Sequence, residues 1–400
     1  MSEALPRGRR VLIVAGEASG DLHGANLVRA FRAEDPDVRF FGVGGERMRD
    51  AGVDVAFDSS LVAVVGASEV LANLGVILRV LRWLKAALTT VRPDLVILID
   101  FPDFNFRVAR AAKAASVPVF YYISPQIWAW RRGRAKFLAK TVEGIAVIFP
   151  FEAELYRKWG LPAEFVGHPL MDGPLGKAPD RARARETLGL KAETAIALLP
   201  GSRKSEIEHH LDLVLESAER IAKEIPGAVF LLPVAPTLDE TWLKARAGTR
   251  SIDLRFIPPS KGGSYDVLSA ADYAVVKSGT STVEAALAGV PFVIVYRLSA
   301  LTFFAGRLVV KVPFIGMANL IAGKQVAREL VQHDFTPENV AAEIVGFHRD
   351  PARREATRAA LAEVRSKMGE GGASSRAAKM AARILGAKAP LPSFAAPSRT

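Results

Sequence analysis

The chain has 400 residues, half of them hydrophobic, with 53 Lys and Arg against 42 Asp and Glu, a formal net charge of +11 and no cysteine. That length suits two domains plus an extension, and the apolar content supplies two cores. The lack of cysteine excludes disulfides, thiolate catalysis and cysteine-ligated metals. The charge favours an anionic partner: nucleic acid, phosphorylated metabolite or acidic lipid surface. Residues 1–10 are polar and basic, and the apolar run at 11–15 is too short for the core of a signal peptide. No apolar run approaches the ~20 residues of a membrane span, so a cytosolic protein is expected.

Strand and helix signals alternate along the first half. Residues 10–15 read as a strand, followed by glycine-spaced residues 16–24 and a helix to about residue 33. Residues 39–43 form a second strand ending in Gly44-Gly45. Residues 70–88 read as a helix whose apolar face spans roughly 220°, against about 100° for an ordinary surface helix. Residues 95–99 are five consecutive aliphatics between Pro93 and Pro102, the pattern of a strand buried on both faces. Strands at 117–123 and 143–149 follow. The alternation predicts an α/β fold with a mostly parallel, doubly wound sheet.

The pattern restarts after a loop at 167–174. A charged helix at 180–190 leads to strands at 195–199, 228–233, 254–257, 273–276 and 291–296. The domain boundary is expected near residues 165–175. Charged helices close the chain over about 336–385, and the Pro-, Ala- and Ser-rich tail from 388 is expected to be disordered.

Chemistry in open α/β sheets sits beyond the carboxyl ends of the strands. Asp100, with Asp103 and Asn105 beside it, stands at the end of strand 95–99. Helix capping accounts for such residues equally well. The first βα loop carries Gly16, Glu17, Ser19, Asp21 and His23 and suits an anion or sugar, since glycines admit a ligand to the backbone at a helix start. Its spacing is not the G-x-G-x-x-G dinucleotide fingerprint, which demotes a nicotinamide enzyme. Gly201, Ser202 and Arg203 open the matching loop of the second half. A capping box from Ser205 to Glu208 is expected there, with Arg203 placed to grip a diphosphate. His209 and His210 are expected on the solvent face of that helix. Lys277, Ser278, Gly279, Thr280 and Ser281 form a second phosphate cradle, with a capping box from Ser281 to Glu284. It is not a Walker A loop. Asp100 and Asp103 alone are weak support for a divalent cation.

Residues 104–142 contain eight Lys or Arg and no acid. Within them Trp128 and Trp130 lie beside Arg131 and Arg132. Basic residues with interleaved aromatics suit nucleic acid, but no recognised nucleic-acid module accompanies them. A lipid interface fits equally. The helix at 70–88, with Val76, Val80 and Trp83 extending its apolar arc and Arg79 and Arg82 on the remainder, tips the reading towards a membrane or acyl-chain surface. Burial of that helix on two sides is the competing reading.

Together these motifs resemble the lipid-A-disaccharide synthase family. The carrying residues are Val14-Ala-Gly-Glu-Ala-Ser-Gly-Asp21, Ile99-Asp-Phe-Pro-Asp-Phe-Asn105, Ser124-Pro-Gln-Ile-Trp-Ala-Trp-Arg131, Phe165-Val-Gly-His168, Leu198-Leu-Pro-Gly-Ser-Arg-Lys-Ser-Glu206, Ser278-Gly-Thr-Ser-Thr-Val-Glu284 and Asn319-Leu-Ile-Ala-Gly323. They occur in the family's order over residues 10–345. Ala318 stands where the family commonly has proline, and Gln325 where it often has an acid.

The resemblance implies a GT-B glycosyltransferase with two Rossmann-like domains facing a central cleft. The expected divisions are an acceptor and lipid domain at 1–168, a UDP-sugar domain at 169–345, C-terminal helices at 346–387 and a tail at 388–400. It implies joining of UDP-2,3-diacylglucosamine to 2,3-diacylglucosamine 1-phosphate, releasing UDP and a β-1,6 disaccharide. Asp100 is the expected base, with Asp103 as alternative or partner, and Arg203 stabilises the departing diphosphate. Gly201, Ser202, Lys277, Ser278, Gly279, Thr280, Ser281 and Glu284 are expected on the nucleotide sugar, with Asn319 and Glu329 added by resemblance. Gly16, Glu17, Ser19, His23 and Asn105 are expected on the acceptor sugar. Val76, Val80, Trp83, Trp128, Trp130, Arg131 and Arg132 are expected to meet lipid. No metal, cofactor or nucleic acid is expected. The expected location is the inner face of the cytoplasmic membrane, peripherally attached, and a homodimer is left open. The competing classes are another GT-B UDP-sugar enzyme and a non-catalytic lipid-surface binding protein.

Overall fold

A computed structural model describes residues 8–62, 73–125, 133–299, 303 and 312–386. The chain forms two compact units, one of residues 1–169 with 372–400, the other of residues 170–371. The first holds a seven-stranded sheet in the order β3-β2-β1-β4-β5-β6-β7. Its strands are β1 (Arg10–Ala15), β2 (Arg39–Gly44), β3 (Asp54–Asp58), β4 (Leu95–Ile99), β5 (Val119–Tyr122), β6 (Gly144–Val147) and β7 (Ala163–Phe165). The second holds a six-stranded sheet in the order β10-β9-β8-β11-β12-β13. Its strands are β8 (Ala195–Leu199), β9 (Val229–Pro233), β10 (Asp253–Ile257), β11 (Tyr273–Lys277), β12 (Phe292–Tyr296) and β13 (Glu329–Val331).

Every pairing in both sheets is parallel. Parallel strands need helical crossovers, which cover both sheet faces, so central strands are apolar throughout. In β4, β5, β6 and β8 every residue is buried. In each unit the strand order reverses between neighbouring strands, β1 against β4 and β8 against β11. Ligands bind at such switch points, outside the carboxyl ends of the strands. Asp100 and Lys277 stand at two of those ends.

Three strands, β3, β7 and β13, have no counterpart in the sequence reading. All three lie at or next to a sheet edge, where fewer side chains are buried and the apolar signal is short. The C-terminal helices are not one block either. Pro351–Lys367 stays with the second unit, whereas Ala373–Gly386 returns to the first. There Arg376 donates to the Val166 carbonyl at 2.8 Å, and Arg383 pairs with Glu164 at 3.1 Å. The residue at 144 faces Ile384, at a distance that leaves a glycine hydrogen but no methyl group.

The helix read at 70–88 is described as Leu74–Thr90. Its Ile77, Val80, Leu81, Leu84 and Leu88 join the core of the first unit. Val80 has no exposed surface, which corrects its assignment to lipid. Trp83 and Val76 pack against the same core, Trp83 edge-on to Phe41 and Phe57 with ring centres 6.5 and 5.5 Å away. Wide apolar arcs are also what a helix wedged against a sheet produces, and most of this one is used that way. Leu74 and Leu78 do remain exposed, at 41% and 44%. Arg79, Arg82 and Lys85 are exposed beside them.

Candidate active site

Asp100 is placed by an unusual backbone. Asp100 and Phe101 both adopt left-handed conformations, φ +45° and +48°. Side-chain-bearing residues rarely do so, and each costs of order 1–3 kcal/mol unless its surroundings hold it. Here three groups hold it. The Asn105 amide donates to the carbonyls of Ile99 and Asp100, at 3.2 and 2.8 Å. The Tyr121 hydroxyl donates to the same Asp100 carbonyl at 2.5 Å. The Phe101 ring lies over Gly16, where a β-carbon would sit 2.2 Å from it. The turn between β4 and the helix Pro102–Ala114 thus fixes the backbone of Asp100 at the strand end.

Burial pushes the Asp100 carboxyl up to about 6, and the negative charge of Glu17 adds to the effect. A carboxylate with that value is ionised at neutral pH yet basic enough to take a proton. Glu17 precedes the helix Ala18–Glu34. Asp103 differs: it is exposed and paired with Arg134 at 2.7 Å. Arg134 also lies 4.9 Å from the centre of the Phe106 ring. The Asp103 carboxylate is thus already occupied by an ion pair, whereas the shifted Asp100 carboxyl owes its change to burial and Glu17.

Several first-unit expectations need correction. Asn105 is completely buried, so it orients Asp100 rather than touching a sugar. The segment 16–24 is mostly helix, not loop, and Asp21 serves the fold. Its buried carboxylate accepts from the backbone N–H groups of Gly45, Arg47 and Met48 at 2.7, 3.1 and 3.1 Å, capping the helix Glu46–Asp50. Gly16 is buried, while Ser19 is exposed and Glu17 and His23 are partly so. Trp128, Trp130, Arg131 and Arg132 lie outside the described residues. Just before them, Ser124 donates to the buried Glu152 carboxylate at 2.8 Å, which also accepts from the Phe149 N–H at 3.1 Å.

In the second unit the loops after β8 and β11 are tied together by Glu206. One of its oxygens accepts from the Ser202 N–H at 2.9 Å; the other pairs with Lys277 at 2.8 Å. Gly201 has φ +141°, and a β-carbon there would sit 2.5 Å from that of Glu206. Burial alone would raise the Glu206 carboxyl, but Lys277, the Ser202 N–H and Arg203 together hold it below the usual value. The expected Ser205–Glu208 capping box does not form. The helix Lys204–Glu224 starts after Arg203, and Glu206 reaches back instead. Arg203 is exposed at this helix start, and its guanidinium makes no hydrogen bond or salt bridge among the described residues. It remains available to an anion.

Around Lys277 the remaining groups divide. The Ser278 hydroxyl donates to the Ile315 carbonyl at 2.9 Å and is buried, so it holds a loop and corrects the expectation of direct contact. Glu284 accepts from Ser264 at 2.6 Å in place of the expected capping box, and burial raises its carboxyl. Gly279, Thr280 and Ser281 are not fully buried and stand at the start of the helix Ser281–Ala288. Asn319, wholly buried, donates to the Ala327 carbonyl and Glu329 and accepts from the N–H groups of Val326 and Ala327. Glu329 accepts further from the N–H groups of Ile315 and Gly316. Asn319 is therefore scaffold rather than a nucleotide contact, and Glu329 retains little accepting capacity. His210 is buried, not solvent-facing. It bonds the Glu206 carbonyl through Nδ1 at 2.6 Å and accepts from the Arg297 N–H through Nε2 at 2.9 Å.

Sequence reasoning missed Tyr121 and Arg134 at the strand end of the first unit and Glu206 at that of the second. Glu206 carried a signal, a carboxylate on the first helical turn after Gly-Ser-Arg. Tyr121 carried none beyond being one of two tyrosine hydroxyls in a strand that is otherwise apolar.

Comparison with known proteins identifies the family and the fold. The family model described as lipid-A-disaccharide synthetase matches residues 11–384. The chain is 47% identical over 379 residues to the lipid-A-disaccharide synthase of Syntrophus aciditrophicus, covering 94% of this chain and 97% of that protein. It is 46% identical over 381 residues to that of Geobacter metallireducens, covering 95% and 98%. Among solved structures, a Staphylococcus aureus MnaA–UDP complex aligns with TM-score 0.63 at 13% identity, covering 92% of this chain and 94% of that one. The calicheamicin glycosyltransferase CalG4 aligns with TM-score 0.60 at 18% identity, covering 96% and 100%. These two show the shared two-domain GT-B fold. The chain belongs to the lipid-A-disaccharide synthase family of glycosyltransferases.

Proposed function

We propose that this chain makes the lipid A disaccharide with Asp100 as general base and Arg203 as the group that takes up charge on the leaving UDP. A primary hydroxyl of 2,3-diacylglucosamine 1-phosphate is a poor nucleophile. Asp100 removes its proton as the oxygen attacks the anomeric carbon of UDP-2,3-diacylglucosamine, and inversion gives the β-1,6 link. The bond to UDP breaks on the opposite side, and the electron pair goes to the diphosphate. Arg203, Lys277 and the helix starts after Arg203 and Thr280 stabilise that charge without a metal. The observation that carries the assignment is the strained, internally braced strand end, with its carboxyl raised to about 6.

The lipid substrates require the protein to work at a membrane. No described helix is long and apolar enough to cross one. The exposed Leu74 and Leu78, followed on the same helix face by Arg82 and Lys85, support peripheral attachment to the anionic inner face of the cytoplasmic membrane. The full chain incubated with both lipids in EDTA should yield UDP and disaccharide in equal amounts. Release of UDP without disaccharide, or a need for added magnesium, would refute the reading.

A further inference from the structure

A cavity of about 570 Å³ lies in the second unit at the opposite end of its sheet from Arg203 and Lys277. It opens beside the first residues of β8 and β11, so the length of a five-residue strand, roughly 17 Å, separates it from the loops already described. Its volume is in the range of small-molecule sites.

The lining is basic. Arg181, Arg354 and Arg358 face it, with Asp272 as the one acidic residue. Asp272 is already engaged, accepting from Arg181 at 2.7 Å and from the Ala195 N–H at 3.0 Å. The Arg354 guanidinium donates only to the neutral hydroxyl of Tyr273, at 3.2 Å, among the described residues. Arg358 has Glu355 as its nearest carboxylate, 3.8 Å away and 75% exposed, a contact of little worth in water. Ser269, another lining residue, is 6% exposed, and its buried hydroxyl has no partner. Two guanidinium groups without strong carboxylate partners make a set of donors for an oxyanion.

We infer that this cavity binds a small soluble molecule bearing a phosphate or diphosphate group, separately from the nucleotide-sugar site. The test titrates the full chain, saturated with UDP, with inorganic pyrophosphate by calorimetry. One saturable site is expected. Arg354→Gln with Arg358→Gln should weaken it at least tenfold, while UDP affinity stays unchanged and reports intact folding. Loss of pyrophosphate binding on UDP saturation, or unchanged affinity in the double variant, would overturn the inference. Displacement of bound pyrophosphate by phosphatidylglycerol vesicles would overturn the assignment to a soluble ligand.

Discussion

Glu206 and Lys277, 71 residues apart in sequence, form a 2.8 Å ion pair that links the loops at the carboxyl ends of two adjacent strands. Both side chains are 18% exposed, so the pair is shielded without being fully desolvated. The same carboxylate fixes the Ser202 N–H, so one side chain sets the shape of both loops.

Glu206→Gln keeps an acceptor for Ser202 but frees Lys277. UDP affinity should fall about tenfold, the loss of one charge-assisted bond of roughly 1.5 kcal/mol, with little change in melting temperature. Calorimetric titration with UDP checks this. Unchanged affinity would mean that Lys277 reaches the nucleotide without Glu206.

Asn319→Ala should act on folding. It removes four hydrogen bonds inside a buried network and leaves the Glu329 carboxylate and two backbone N–H groups short of a partner. Denaturant unfolding should show a loss of about 2–4 kcal/mol. A variant of normal stability with selectively lost UDP binding would restore Asn319 to the nucleotide.

The helix Leu74–Thr90 offers a paired test. Leu74→Ser with Leu78→Ser should weaken binding to anionic vesicles and leave stability within about 0.5 kcal/mol, because both leucines are exposed. Val80→Ser should instead destabilise the fold by roughly 2–4 kcal/mol. Added salt should reduce vesicle binding only in part, since the apolar contribution is not screened. Vesicle binding unchanged in the double leucine variant would remove this face from the membrane.

Much of the architecture was legible because a parallel sheet writes its central strands as apolar runs ending in glycine, proline or charge, as at 95–99 and 195–199. Edge strands such as Glu329–Val331 are too short for that pattern. Placement was legible where a residue stands at or just beyond a strand end, as Asp100, Arg203 and Lys277 do. It failed where role depends on distant partners. Asn105 and Asn319 carry polar side chains next to functional motifs, yet burial turns both inward. The wide apolar arc over 70–88 misled for a related reason: periodicity records how much of a helix is covered, not what covers it.

Asp100 also leaves a mark on stability. Its carboxyl is raised from 3.8 to about 6 in the folded chain, so ionising it opposes folding. The protonated group's advantage is complete below the unfolded value and is lost as pH rises through about 6. Asp100→Asn, which never ionises, should be more stable than the parent at pH 7.5 by on the order of 2 kcal/mol. That gap should close near pH 4. Equal stability at both values would remove the raised carboxyl.

The most direct test of the mechanism is the rate of disaccharide formation by Asp100→Asn, measured beside its UDP affinity. The parent enzyme's kcat/KM should rise with pH through a value near 6, the ionisation of the base. The variant should lose that dependence and about 10²–10⁴ of turnover, with UDP affinity within twofold. A folded variant that keeps near-parental turnover and the same rise would contradict Asp100 as the base.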